Sequence, residues 1–409
     1  VSREAQSIFK DENADTHISK ELGLLDWVKT SPFVSNYKSI EKIRKQVEAR
    51  QGINLPQKVA QHIARSVAQA WSSYFVLKKN SHDPRPPKYV QKYYVVQYTV
   101  QALSATGLRE SRVIPTGWKS GVKIPTGTKV QAARAFMKNA DVWLETIHIV
   151  PDPPVAKAEG IVAAVDLGVD VLAAVTFSDG SQPLLVSGKP LKSMNAYANK
   201  KNAALRSILD KEKDYLEAKL KKEYPDLESL YPIRSQKLDR LWGKRNRKIN
   251  HYLHSASKQL LVKLVSAGVK EILVGWNDGF KQATNLGKKT NQNFVNIPHA
   301  RFIQLLTYKA KQHGILVRRV EESYTSKASF LDYDIIPTYG SKLDTWVPSG
   351  VRTKRGLYKT ASGRFIHADV NASYNILAKH ATGSDMSLSR TGCIVQPVTL
   401  TVTGWCSKK

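Results

Sequence analysis

The stretch Gly160–Phe177, GIVAAVDLGVDVLAAVTF, decides the fold. An apolar run from Gly160 to Val165 ends in Asp166, and a second apolar run covers Val171 to Phe177. Short apolar runs bounded by turn residues read as buried strands. Gly168 supplies the first turn and Asp179 with Gly180 the next, before a third strand at Pro183–Val186. Three short strands in such tight succession predict an antiparallel meander. Asp166 stands out because burying an unpaired carboxylate is costly. It also precedes a glycine, as turn-forming aspartates commonly do, and Asp170 is a second claimant for that turn.

Reading toward the C-terminus, two long charged helical stretches follow, about Leu191–Tyr224 and Ile233–Ala267, the second crowded with basic residues from Arg234 to Lys248. Lys270–Trp276 reads as a buried strand and Ile297–His313 as a helix closed by Gly314. Ile315–Val320 is a strand running into Glu321 and Glu322, Ser323–Phe365 is loop-rich, and Ala368–His380 is a last helix. Three meander strands, helices, strand, helix, strand, helix is the order of an RNase H-like α/β domain. Here it carries a helical insertion after the third strand and a loop insertion before the last helix. The tail after Ala381 is polar and then β-like, with no assigned place.

Reading toward the N-terminus, Asp152, Pro153 and Pro154 form a linker. Before it, alternating segments predict strands at Tyr93–Ala102, Arg112–Ile114, Lys129–Phe136 and Val142–Val150, the makings of a small β-barrel or sheet. A proline-rich break at Ser81–Lys88 separates them from two helices. One covers Ser39–Arg50; the other starts at Pro56, with a stripe of Val59, Ile63, Val67, Ala70 and Tyr74 expected to face the core.

The chain of 409 residues carries 63 Lys and Arg against 34 Asp and Glu, a net charge of +29. So basic a chain points to a polyanionic partner, most simply nucleic acid, because Lys and Arg contacts to phosphate release counterions. No run of 18 apolar residues is present, so no membrane span is expected. No signal peptide is read at the N-terminus. Two cysteines, Cys393 and Cys406, both lie in the tail. That fits a reducing compartment without a disulfide framework and is too few for a four-cysteine zinc site.

In a basic chain the acids at strand ends draw attention. Two-metal phosphodiester cleavage needs several carboxylates around a pair of Mg²⁺ ions, which prefer hard oxygen ligands. Asp166 ends the first strand of the domain. Glu321 and Glu322 alternate at another strand end, so only one can face a given side. Asp369, in FIHADVNASYNIL, opens the last helix, where it would also serve as an N-cap. Asn371 and Asn375 share one helical face and read as capping and packing residues. Each acid alone is weak; three at the matching elements of one fold order are stronger together.

Four segments carry a family resemblance: GIVAAVDLGVDVLAAVTF, EESYTSKASFLD, KRGLYKTASGRFIHADVNASYNIL and VGWNDGFKQATNLGKKTNQNFVNIPHARF. With PRPPKY at the opening of the β-rich part, the chain resembles TnpB, the RNA-guided nuclease of bacterial insertion sequences and a relative of type V CRISPR effectors. The resemblance covers about Pro84 to His380. It implies a helical recognition part (1–82), a β-rich wedge domain of barrel form (83–157), a RuvC nuclease core with its helical insertion (158–322), a target-nucleic-acid-binding insertion (323–365), the last RuvC motif and helix (366–380), and a tail (381–409). It implies a guide RNA from the transposon end, pairing with target double-stranded DNA beside a short adjacent motif. Asp166 matches the first RuvC acid and Asp369 the third.

Two departures from the family pattern matter. The second acid usually lies on the strand that here reads EILVGWND, and its position holds Gly275. A subset uses the glutamate that here is Glu322, with Glu321 and Asp278 as lesser candidates. Asp166, Glu322 and Asp369 would then hold Mg²⁺, two ions in all. Many members also carry two cysteine pairs in the insertion. Here those places read SKASFLDYD and TASGRF, so no zinc is expected and the insertion should pack through Phe330, Tyr339, Trp346 and Tyr358. Lys288, Lys289, Arg301, Lys327, Lys354 and Arg355 are the expected phosphate contacts. The alternatives are an RNA-guided DNA-binding regulator without nuclease activity, favoured by Gly275, a transposase joining DNA ends, and a branched-DNA nuclease.

Overall fold

The computed structural model describes residues 37–403 apart from 53, 81–82, 88–94, 139–140, 150–151, 225–234, 278–296 and 382–394. Asp278, Lys288, Lys289, Cys393 and Cys406 therefore lie outside the described residues. The chain divides into two compact units, Val1–Pro151 and Asp152–Lys409.

In the first unit, α1 (Tyr37–Gln51) and α2 (Gln57–Lys79) form the expected pair of helices. Ile40 of α1 packs against Ala64 and Ala68, small residues that let two backbones approach. The buried face of α2 is turned from the expected stripe. Val59, Ala60, Ala64, Ala68 and Trp71 are buried, whereas Ala70 is exposed and Ile63, Val67 and Tyr74 are half-buried. The reason is that α2 serves two partners: α1 on its alanine side, and the sheet through Val59 and Ile63.

That sheet orders β1 (Val96–Thr99), β4 (Val130–Lys138) and β5 (Asp141–His148) antiparallel, with β4 central. Between β1 and β4 lie a 3₁₀ turn at Val100–Ala102, α3 (Ala105–Arg109), and the small pair β2 (Arg112–Val113) and β3 (Val122–Lys123). The expected strand at Tyr93–Ala102 thus ends in a helical turn. The short α3 and β3 had no periodic signal to betray them.

The second unit is built on a six-stranded mixed sheet. In chain order it contains β6 (Ile161–Leu167), β7 (Val171–Phe177), β8 (Leu184–Ser187), α4 (Lys189–Glu223), α5 (Gln236–Ser266), β9 (Val269–Gly275), α6 (His299–Lys311) and β10 (Leu316–Val320). Then come β11 (Val351–Lys354), β12 (Leu357–Lys359), β13 (Phe365–His367), α7 (Ala368–His380) and β14 (Val398–Leu400). The sheet order is β10-β9-β6-β7-β8-β14. β6, β7 and β8 are the antiparallel meander. β9 and β10 join β6 in parallel, through the helical crossovers that parallel pairing requires. The tail strand β14 adds itself in parallel beside β8.

Alternation along β6 sorts the core into two layers. Ala163 and Val165 face the side covered by Leu253, Leu260 and Leu264 of α5 and Phe302 and Leu306 of α6. Val162 and Ala164 face the side covered by Tyr374, Ile376 and Leu377 of α7. No helix among the described residues is long and apolar enough to cross a membrane.

The insertion folds as the antiparallel sheet β11-β12-β13 with long loops. Phe330 and Tyr358 are buried as expected, and Phe330 stacks on Tyr374 at 4.6 Å between ring centroids. Trp346 is half-buried and donates to the Ile335 carbonyl at 2.7 Å. Tyr339 departs from expectation: it is 84% exposed, like Ile335, because nothing among the described residues covers this loop. Phe330→Ala should destabilise the unit by about 3–4 kcal/mol in urea unfolding. A loss below about 1 kcal/mol would mean that the insertion is not anchored through this ring.

Candidate active site

Because β6, β9 and β10 run parallel, their C-terminal ends lie side by side, where α/β sheets commonly present ligand sites. Register places Val165 opposite Val274, and Val320 opposite Gly275. Asp166 is thus the residue that emerges at the end of the central strand. The turn after it is fixed from two sides. His299, buried on α6, hydrogen-bonds the Gly168 carbonyl through Nε2 at 2.8 Å. Gly188 donates its N–H to the Asp170 carbonyl at 2.8 Å. A Cβ at Gly188 would lie 2.0 Å from the Val169 carbonyl oxygen, so only glycine permits this approach.

Asp369 arrives on the first turn of α7, whose register on the sheet is fixed one turn later. Ser373 Oγ donates to the Ala164 carbonyl at 3.0 Å and lies 3.0 Å from Thr176 Oγ1, all buried. His367 precedes the helix, and its Nδ1 accepts from the Asp369 N–H at 3.3 Å.

Glu322 is placed by a short turn beyond β10. Its N–H donates to Asn277 Oδ1 at 3.3 Å, and its carbonyl accepts from Thr325 Oγ1 at 2.8 Å. Asn375 then secures that turn by donating to the Thr325 and Ala328 carbonyls at 2.8 and 2.7 Å. Asn371 donates to the Ala328 carbonyl and accepts from the Phe330 N–H. The two asparagines, read from sequence as capping and packing residues, are clamps on the segment behind Glu322.

Glu321 and Glu322 part ways as strand alternation requires. Glu321 pairs with Lys379 and accepts from the Ser323 N–H at 2.9 Å. Burial alone would raise its pKa, but hydrogen bonds from Lys379 and Ser323 outweigh it and hold the carboxyl below its usual range. Glu322 turns the other way, over Gly275. A Cβ built on Gly275 would lie 2.6 Å from Glu322 Oε2 and 2.5 Å from Ile376 Cδ1. The Glu322 carboxylate therefore occupies the space directly above Gly275, and a side chain at 275 would require Glu322 and Ile376 to shift.

Asp166 senses the other two acids. Burial, then the charges of Glu322 and Asp369, push Asp166 well above the usual carboxylate range, with Arg352 partly offsetting them. Burial, then Glu321, raises Glu322 to about 7. Asp369 bonds Arg352 of β11 at 3.4 Å, and Arg355 beyond β11 pairs with Asp170 at 2.5 Å, where Lys192 also contacts that carboxylate.

The raised pKa values of Asp166 and Glu322 are what a hard divalent cation would relieve, and the donor set is the oxygen set that Mg²⁺ takes. As the side chains stand, no three His, Cys, Asp or Glu among the described residues are grouped so as to hold one metal ion. Asp369 is instead paired with the Arg352 guanidinium.

Of the expected phosphate contacts, Arg355 is 70% exposed on its side chain and held by Asp170. Lys327 and Lys354 are exposed in the insertion. Arg301 is exposed on α6 and donates to Gln304. Arg352, Asn277 and Lys379 escaped sequence reading. Nothing separates Arg352 from its basic neighbours until β11 is folded over α7.

A family model described as probable transposase, OrfB_IS605, matches residues 146–278. A second, the Cas12f1-like TNB domain, matches residues 299–376. A curated relative, the TnpB-like protein ORF457 of Acidianus two-tailed virus, is 28% identical over 228 residues. That match covers 55% of this chain and 43% of the relative, so the chain spans less than half of the relative's length. Among solved structures, a Cas12f1–sgRNA–target DNA complex aligns over 87% of this chain and 78% of its own at 15% identity, with a TM-score of 0.46. A CRISPR–Cas12f ternary complex aligns over 87% and 77% at 14% identity, with a TM-score of 0.33. The two family models and the viral relative agree with the resemblance to TnpB read from the sequence.

Proposed function

We propose that the chain is an RNA-guided DNA endonuclease whose RuvC site, on an RNase H-like sheet, hydrolyses phosphodiester bonds with Mg²⁺. The observation that carries this reading is the seating of Glu322 over Gly275. The strand position that holds glycine is overlain by a carboxylate from the neighbouring strand end, which supports a three-acid set of Asp166, Glu322 and Asp369. Asp166, Glu322 and Asp369 are the residues that would hold the metal. Bound there, Mg²⁺ would lower the pKa of a water and offset charge on the phosphate oxygens.

The remaining work falls to the chain's own side chains. Arg352, turned from Asp369 to the scissile phosphate, carries a guanidinium suited to bidentate phosphate contact. Arg355, Lys327, Lys354 and Arg301 are the phosphate contacts proposed among the described residues, with Lys288 and Lys289 beyond them. In such a protein, guide RNA pairing selects the target, and the protein reads backbone shape and a short adjacent motif. The β-rich first unit is the proposed wedge and α1 with α2 the recognition part. The second reading, an RNA-guided DNA-binding regulator, is favoured by one observation: the acids are not grouped to hold an ion as they stand.

The test is plasmid cleavage by the chain co-purified with its native RNA in Mg²⁺. Wild type should cut only with RNA, and Asp166→Ala, Glu322→Ala and Asp369→Ala should each lose more than about a hundredfold in rate, the scale expected for lost metal ligands and beyond that of their supporting groups. RNA-dependent binding without cutting would select the regulator, and joining of DNA ends without RNA a transposase. Gly275→Ala tests the seating of Glu322. With its Cβ 2.6 Å from Glu322 Oε2, it should cost about 1–3 kcal/mol of stability and slow cutting at least tenfold. Unchanged cutting in this variant would mean that Glu322 does not act from the place above residue 275.

A further inference from the structure

The insertion that carries Arg352 has few buried side chains, and its strands β11–β13 are short. Between Ser323 and His367 there is no cysteine and a single histidine, His367. The donor set for a four-ligand zinc staple is not there, and small loop-rich folds otherwise need a staple of some kind.

Two carboxylates stand at the point where the loops meet. Asp334 Oδ2 accepts from the Ser329 N–H at 2.6 Å and from the Ser349 N–H at 3.1 Å, and its Oδ1 from Ser349 Oγ. Asp332 Oδ2 accepts from Ser329 Oγ at 2.6 Å and from the Ala361 N–H at 2.8 Å. Ser329 is wholly buried. Ser349 lies just before β11, and Ala361 just after β12, so the pair grips both feet of the hairpin that presents Arg352 and Arg355. The grip is backed by close packing. A Cβ at Gly350 would lie 2.6 Å from Tyr358 Cε1, and the Tyr358 hydroxyl donates to the Lys327 carbonyl at 2.7 Å.

We infer that Asp332 and Asp334 are positioning residues that fasten the β11–β12 hairpin to the buried Ser329 segment and so set where Arg352 stands relative to Asp369. The contacts close a ring. Asp369 begins α7; Asn371 and Asn375 of α7 hold Ala328 and Phe330. Ser329, between them, is bound by both aspartates, which hold Ser349 and Ala361, and the hairpin returns Arg352 to Asp369 at 3.4 Å. Charged acceptors suit this task because hydrogen bonds to ionised groups are roughly twice as strong as neutral ones. The consequence for catalysis rests on the endonuclease reading above; the fastening itself does not.

The test uses the full chain. Amide exchange by mass spectrometry is measured for wild type, Asp332→Ala and Asp334→Ala, and zinc content by elemental analysis. Exchange across 326–334 and 347–362 should quicken, by roughly tenfold at Ser329 in Asp334→Ala, where its N–H loses a charged acceptor, while β6, β7 and β9 stay as in wild type. With native RNA, either variant should cut DNA at least about tenfold more slowly at saturating target. In an Arg352→Ala background, however, it should add almost nothing, since residues acting through one group are not additive. Unchanged exchange, a fully additive loss, or one zinc per chain would overturn the inference. Should an alanine variant unfold the sheet, the isosteric Asp334→Asn carries the same comparison. Should wild type cut no DNA at all, the endonuclease reading fails, and the exchange arm alone decides the fastening.

Discussion

The structure of the second unit turns on one constraint: carboxylates are gathered at the ends of parallel strands, where burial and mutual repulsion oppose their charge. Asp166 and Glu322 are both raised well above the ordinary carboxylate range by burial first and then by neighbouring acids. A fold optimised for stability alone would not place them there. Much around the site holds them in place regardless. Ser373 ties α7 to the strand of Asp166, His299 holds its turn, and Asn371 and Asn375 clamp the segment behind Glu322. Such investment in destabilising charge is characteristic of functional sites.

The same constraint explains Gly275. A strand end that supplies no side chain is filled by a carboxylate from the adjacent parallel strand, with Oε2 in the space a Cβ would touch. The exchange is possible because β9 and β10 are neighbours in register, with Val320 opposite Gly275. A glutamate two residues past that pairing can reach back over the glycine. Glu321 cannot, because it points to the other side and is engaged by Lys379.

Much of this was legible in the sequence. Two apolar runs with Asp166 between them predict the meander, and the strand expected to run into Glu321 and Glu322 forms, beside β9. The tail strand, β-like by composition, had no partner until the fold put β8 beside it. The face of α2 was misjudged because two partners share that helix, which a single periodic stripe does not express. Tyr339 was expected to pack on aromatic character alone, and nothing among the described residues covers the loop that carries it. Arg352 and the aspartates of the insertion were invisible for a different reason. Their roles arise from contacts between segments far apart in the chain, and nothing in their own surroundings marks them.

The central claim is that Asp166, Glu322 and Asp369 form one cation site from which Arg352 withdraws. The most direct measurement is anomalous diffraction from crystals of the chain soaked with Mn²⁺, a stand-in for Mg²⁺ with the same oxygen preference. The account predicts an anomalous peak bounded by those three carboxylates, with the Arg352 guanidinium moved off Asp369. No peak there, with the Arg352–Asp369 contact intact at saturating Mn²⁺, would contradict it.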